Sequence, residues 1–105
     1  MSERIETIRR MIAEQGEEPF LVYSLGMELA SAGDHAAAVE QFRRCMELDE
    51  GYLPAYGEAG KSLRAAGRIE EAREAFNAGI ALAAEQGESH VRDSLRQQLE
   101  GLGAG

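Results

Sequence analysis

The sequence predicts an all-α fold: an α-solenoid of antiparallel helix pairs, about six helices wound into a right-handed superhelix. Three observations predict it. The stretch AGDHAAAVEQF from Ala32 is echoed by AGRIEEAREAF from Ala66, 34 residues later. Apolar residues recur at helical spacing on both sides of each echo. The composition lacks Trp and has only two Pro among 105 residues, while Ala, Glu, Arg and Leu, which lose little freedom in a helix, are plentiful.

The repeat extends past those two stretches. Gly26 falls on Gly60, Leu29 on Leu63, Gly33 on Gly67, Ala38 on Ala72, Phe42 on Phe76 and Leu48 on Leu82. Between these positions the exposed residues differ freely, so what recurs is a packing requirement. A chain of this length is a single domain, too small for two independent cores. Within residues 1–105 the expected order is an N-terminal capping helix over 3–16, a first unit over 19–52, a second over 53–86, and a C-terminal capping helix over 89–102.

In the N-terminal helix, Ile5, Ile8, Met11 and Ile12 share one face, and Gly16 ends it. The first unit opens at Pro19, where a missing N–H is tolerated. Val22, Leu25, Gly26 and Leu29 then fall at i, i+3, i+4 and i+7 on one face. Gly33 closes that helix in the left-handed conformation, and Asp34 caps the next, which carries Ala38, Val39, Phe42, Cys45, Met46 and Leu48. The second unit repeats the arrangement from Pro54 through Tyr56, Ala59, Gly60 and Leu63, then Ile69, Ala72, Phe76, Ile80 and Leu82. The last helix carries Val91, Leu95, Leu99 and Leu102, with Ser89 as its expected N-cap and Leu102–Gly105 as a frayed tail. Gly16, Gly51 and Gly87 each follow a presumed second helix, at similar spacing.

Gly26 and Gly60 are locally unfavourable, because Gly inside a helix costs about 1 kcal/mol relative to Ala. Close approach of a neighbouring helix backbone is the expected compensation, with Ala38 and Ala72 serving it from the facing helices. Phe42 and Phe76 are expected to wedge between each pair and the following helix.

Small residues, Gly, Gly-Asp, Ala and Phe at 34-residue spacing resemble the tetratricopeptide repeat. The first unit, with YSLG and MELDEGY, is close to the pattern; the second departs at Ala59 and Gly79, which is expected to loosen it. The resemblance implies a curved scaffold whose inner face is lined by the first helix of each pair. It places Phe20, Tyr23 and Met27 on that face in the first unit and Lys61 and Arg64 in the second, with Arg92 and Arg96 added by the capping helix.

The inner-face residues divide into two groups. Phe20, Tyr23 and Met27 form an apolar shelf, or else pack under the N-terminal helix. Lys61, Arg64 and Arg68 run along one edge, with Arg92 and Arg96 opposite. They are either paired with Glu58, Glu88 and Asp93 or form a dock for an acidic segment or a chain-terminal carboxylate. Some tetratricopeptide domains clamp acidic chaperone tails with Lys and Asn. Here Tyr23, Met27 and Glu58 stand in those slots, so the resemblance does not carry that function over.

Other classes of function are disfavoured. A formal charge of −8 opposes nucleic-acid binding, which requires excess Lys and Arg. MSERIETIRR lacks the apolar core of a secretory signal, and no run reaches the roughly 18 apolar residues of a membrane span, so a cytoplasmic setting is expected. Cys45 is the only cysteine and falls on a core stripe. His35 and His90 are expected to face solvent near helix starts. Glu17, Glu18, Glu70, Glu71 and Glu74 sit at helix starts or on polar faces, and no Gly-rich loop follows a strand. The expectation is therefore no enzyme, no cofactor and no metal. What remains is a protein-interaction module whose partner is a peptide segment or helix, the alternative being a structural subunit that self-assembles into a homo-oligomer.

Overall fold

The computed structural model describes residues 3–103. It is an all-α solenoid of six helices: α1 Glu3–Gln15, α2 Pro19–Ser31, α3 His35–Leu48, α4 Leu53–Ala65, α5 Ile69–Gln86 and α6 Ser89–Gly101. Each helix packs on its neighbours in sequence, and α2 also meets α4. The helices thus form two layers, α2, α4 and α6 in one and α1, α3 and α5 in the other, within an envelope of 41 × 28 × 19 Å.

Local chemistry sets the turns within the pairs. At the end of α2 the amide of Gly33 donates to the Ala30 carbonyl and that of Asp34 to the Leu29 carbonyl. Gly67 and Arg68 repeat this with Arg64 and Leu63. Such a closure needs a positive φ, here 87° and 80°, which Gly adopts without a Cβ penalty. Asp34 then caps α3 by accepting from the Ala37 amide at 3.2 Å. Arg68 holds the matching position in the second pair and makes no cap; its guanidinium instead grips Glu71 through two bonds of 2.7 and 2.9 Å. Arg43 of α3 reaches the same carboxylate at 2.8 Å, so Glu71 ties the two pairs together.

The core is continuous through the stack. Phe42 is wholly buried with Leu25, Leu29, Ala38 and Ala59, which places it between its own pair and α4. Phe76 lies likewise among Val39, Leu63, Ala72 and Leu95. The glycines opposite these rings have a different cause from the one expected. A Cβ on Gly26 would sit 2.6 Å from the Phe42 ring, and one on Gly60 2.5 Å from the Phe76 ring. The space is kept for the aromatic ring of the same pair, not for a helix backbone.

Four other expectations are corrected. Gly79 does not leave a gap, because Leu95 and Tyr56 close against it, within 2.9 and 3.0 Å of where a Cβ would be. Gly51 does not take the positive φ of Gly16 and Gly87. Its amide is held by the Asp49 carboxylate at 3.0 Å, and its carbonyl by the Gln86 amide at 2.9 Å. Ser89 is the first residue of α6, and Glu88 occupies the N-cap without a side-chain bond. Leu102 is not frayed: its amide donates to the Leu99 carbonyl and its side chain packs on the Phe76 cluster. Of the remaining tail, residues 104 and 105 lie outside the described residues.

Candidate functional site

The layer of α2, α4 and α6 carries a groove. Between α4 and α6 lies a crevice of about 290 Å³, walled by Leu53, Gly57, Glu58 and Lys61 on one side and His90, Val91, Ser94 and Gln98 on the other. Gly57 opens it: with no side chain there, Leu95 of α6 comes within 3.1 Å of the Cβ position and forms the floor. At one end the Arg64 guanidinium donates to the Gln98 side-chain oxygen at 2.6 Å. Lys61 meets the Glu58 carboxylate at 3.4 Å. At the other end the crevice opens past Leu53, Pro54 and Val91 into a second depression of about 480 Å³, where Asp49, Tyr52, Gln86 and Glu88 complete the wall.

The residues singled out from sequence separate into four groups. Lys61 lines the crevice and Arg64 stands at its end. Phe20 is 65% exposed at the start of α2, in the same layer. Tyr23 and Met27 are half-buried supports: the Tyr23 ring tilts against Phe42 and Tyr52, with centroids 5.8 and 5.3 Å away, and Met27 packs on the Leu25 and Leu29 cluster. Burial, followed by the nearby Glu58 charge, raises the Tyr23 phenol above its ordinary pKa. Arg92 and Arg96 do not line the crevice; both turn to Asp93, at 3.2 and 4.0 Å.

Sequence reasoning missed His90, Val91, Ser94 and Gln98. They form one stripe of α6 at i, i+1, i+4 and i+8, and that stripe was visible. Weighting charge over periodicity selected the arginines on another face. His35 also differs from expectation, being half-buried with its Nδ1 screened from water.

The remaining reactive groups have structural settings. Cys45 is fully buried, and burial followed by the Asp49 charge pushes its thiol up to about 11, so it is protonated at neutral pH. Among the described residues no group of three or more His, Cys, Asp or Glu is placed to hold a metal ion. No helix there is long and apolar enough to cross a membrane.

Comparison with known proteins identifies the frame in which this groove sits. A family model for the tetratricopeptide repeat matches residues 29–99. The chain belongs to the tetratricopeptide repeat family. It is 33% identical over 98 residues to a TPR repeat-containing protein of Pseudomonas aeruginosa, covering 93% of each chain. Its fold is similar to the solution structure of a Bordetella parapertussis protein, with a TM-score of 0.85 and 28% identity over 97% of this chain and 89% of that one. It is also similar to a tetratricopeptide repeat domain protein of Salinibacter ruber, with a TM-score of 0.74 and 26% identity, covering 82% of this chain and 96% of that one. Tetratricopeptide arrays are in general scaffolds for protein–protein contacts and not enzymes.

Proposed function

We propose that this tetratricopeptide protein is a cytoplasmic interaction module that holds a segment of another protein along the α4–α6 crevice. The observation that carries the reading is that crevice, where an apolar floor at Leu95 is bordered by Lys61 and Arg64. Apolar area supplies affinity in such a groove, while charges at its rim set orientation and association rate. Phe20 is a further exposed aromatic anchor on α2, in the same layer. Arg92 and Arg96 have no part in this contact.

A self-assembling subunit is not favoured. The exposed face of α6 presents Asp93, Arg96, Gln97 and Glu100, and that of α1 presents Glu6, Arg10 and Glu14.

Affinity capture from the source cell tests the reading. Ser94→Arg fills the crevice, whereas Ala78→Arg adds the same bulk to exposed surface on α5 in the other layer. The expected outcome is loss of the captured proteins with the first variant and retention with the second. Retention of all of them by Ser94→Arg contradicts it.

A further inference from the structure

We propose, as a refinement resting on the reading above, that the bound segment is extended and oppositely charged at its two ends. A cationic side chain seats between Asp49 and Glu88, apolar side chains lie over Pro54 and Val91, and a carboxylate meets Lys61 and Arg64. The crevice and the adjoining depression are one trough, because Leu53, Pro54 and Val91 belong to both. The trough is electrically asymmetric. Among the described residues, the depression is walled by two carboxylates and no Lys or Arg. The crevice carries Lys61, ends at Arg64, and has Glu58 as its one carboxylate, already engaged by Lys61.

The carboxylates at the acidic end have capacity to spare. Asp49 uses Oδ1 to hold the Gly51 amide, which leaves its second oxygen to accept. Glu88 stands at the N-cap of α6 without closing on the helix. Tyr52 adds an aromatic ring to the same wall, a surface that favours a Lys or Arg side chain. The length of the trough sets the length of the segment. Leu53 to Arg64 spans about 17 Å at 1.5 Å per helical residue. An extended chain at about 3.4 Å per residue covers that distance with about five residues. The acidic end lies beyond Leu53, so the two opposite charges of the ligand are at least about five positions apart.

Panning a display library of random linear peptides against the full chain tests this, followed by anisotropy titration of the enriched peptides. The expected peptides carry Lys or Arg at one end, Asp or Glu at least about five positions away, and apolar residues between. Glu88→Lys lies on exposed surface and is expected to leave the fold intact by circular dichroism. It is expected to weaken binding by at least about tenfold, and a peptide with its cation exchanged for Glu to recover most of that loss. Binders that lose affinity with Lys61→Glu but change less than about twofold with Glu88→Lys overturn this inference and leave the crevice reading standing. A library that yields no binder, or binders indifferent to both substitutions, overturns both.

Discussion

Gly60 illustrates how a residue that weakens its own helix can strengthen the molecule. Adding a methyl group there drives it against Phe76, whose ring is fully buried and has no room to turn. Overpacking of this kind costs about 1–3 kcal/mol, more than the roughly 1 kcal/mol of helix propensity that Ala recovers. Gly60→Ala is therefore expected to lower the urea midpoint. Gly101→Ala, at the last residue of α6 where nothing lies within 4 Å of the added carbon, is expected to leave the midpoint unchanged or raise it. A second residue-scale test concerns Glu71. Hydrogen bonds from Arg68 and then Arg43 hold its carboxyl down to about 2 in the folded chain, against an ordinary value of 4.5. A depressed folded pKa means the stabilisation is present above pH 4.5 and is lost as pH falls toward 2. The stability difference between the native chain and Glu71→Gln should accordingly be widest above pH 4.5 and close on acidification.

Among the elements, the helix pairs were largely legible in the sequence because their constraints are steric and local. Gly33 and Gly67 mark closures that few other residues adopt, and Asp34 marks a cap. Asp34→Ala is expected to cost about 1 kcal/mol in chemical denaturation, the usual loss for a cap of this type. What Gly26 and Gly60 accommodate was not legible, since helical periodicity says which face is small and not which group fills it. The wall supplied by α6 was harder still. α5 runs for 18 residues against 14 in α3, so α6 starts 36 residues after α4, whereas α4 starts 34 after α2. The repeat frame does not carry across that insertion. The side of α6 that meets α4 is set by packing of Leu95 on Gly57 and Gly79, a long-range contact that no local pattern announces. For the same reason Lys61 and Arg64, inside the repeat, stand at the groove where the sequence placed them, while Arg92 and Arg96, beyond it, were placed there too but turn to Asp93.

Considered as a whole, the molecule is a short stack in which each pair leans on the next, so stability is distributed and falls off at the ends. α1 buries no residue fully and α6 buries only Leu95, whereas α3 and α5 hold the two buried phenylalanines, Phe42 and Phe76. Amide exchange is expected to be fastest in α1 and slowest in α3 and α5, with Phe42→Ala removing about 3–5 kcal/mol from the global transition. Faster exchange in α3 than in α1 contradicts that ordering. The same architecture leaves the groove between α4 and α6 on a firm wall and a softer one, since only α4 lies inside the stack. Chemical-shift mapping of the labelled chain with a captured partner segment addresses the binding claim most directly. Perturbations concentrated in Leu53–Arg64 and Ser89–Gln98, with α3 and all of α5 but its last turn unchanged, are the predicted result. Shifts confined to the layer of α1, α3 and α5, with Lys61 and Ser94 unmoved on saturation, would contradict it.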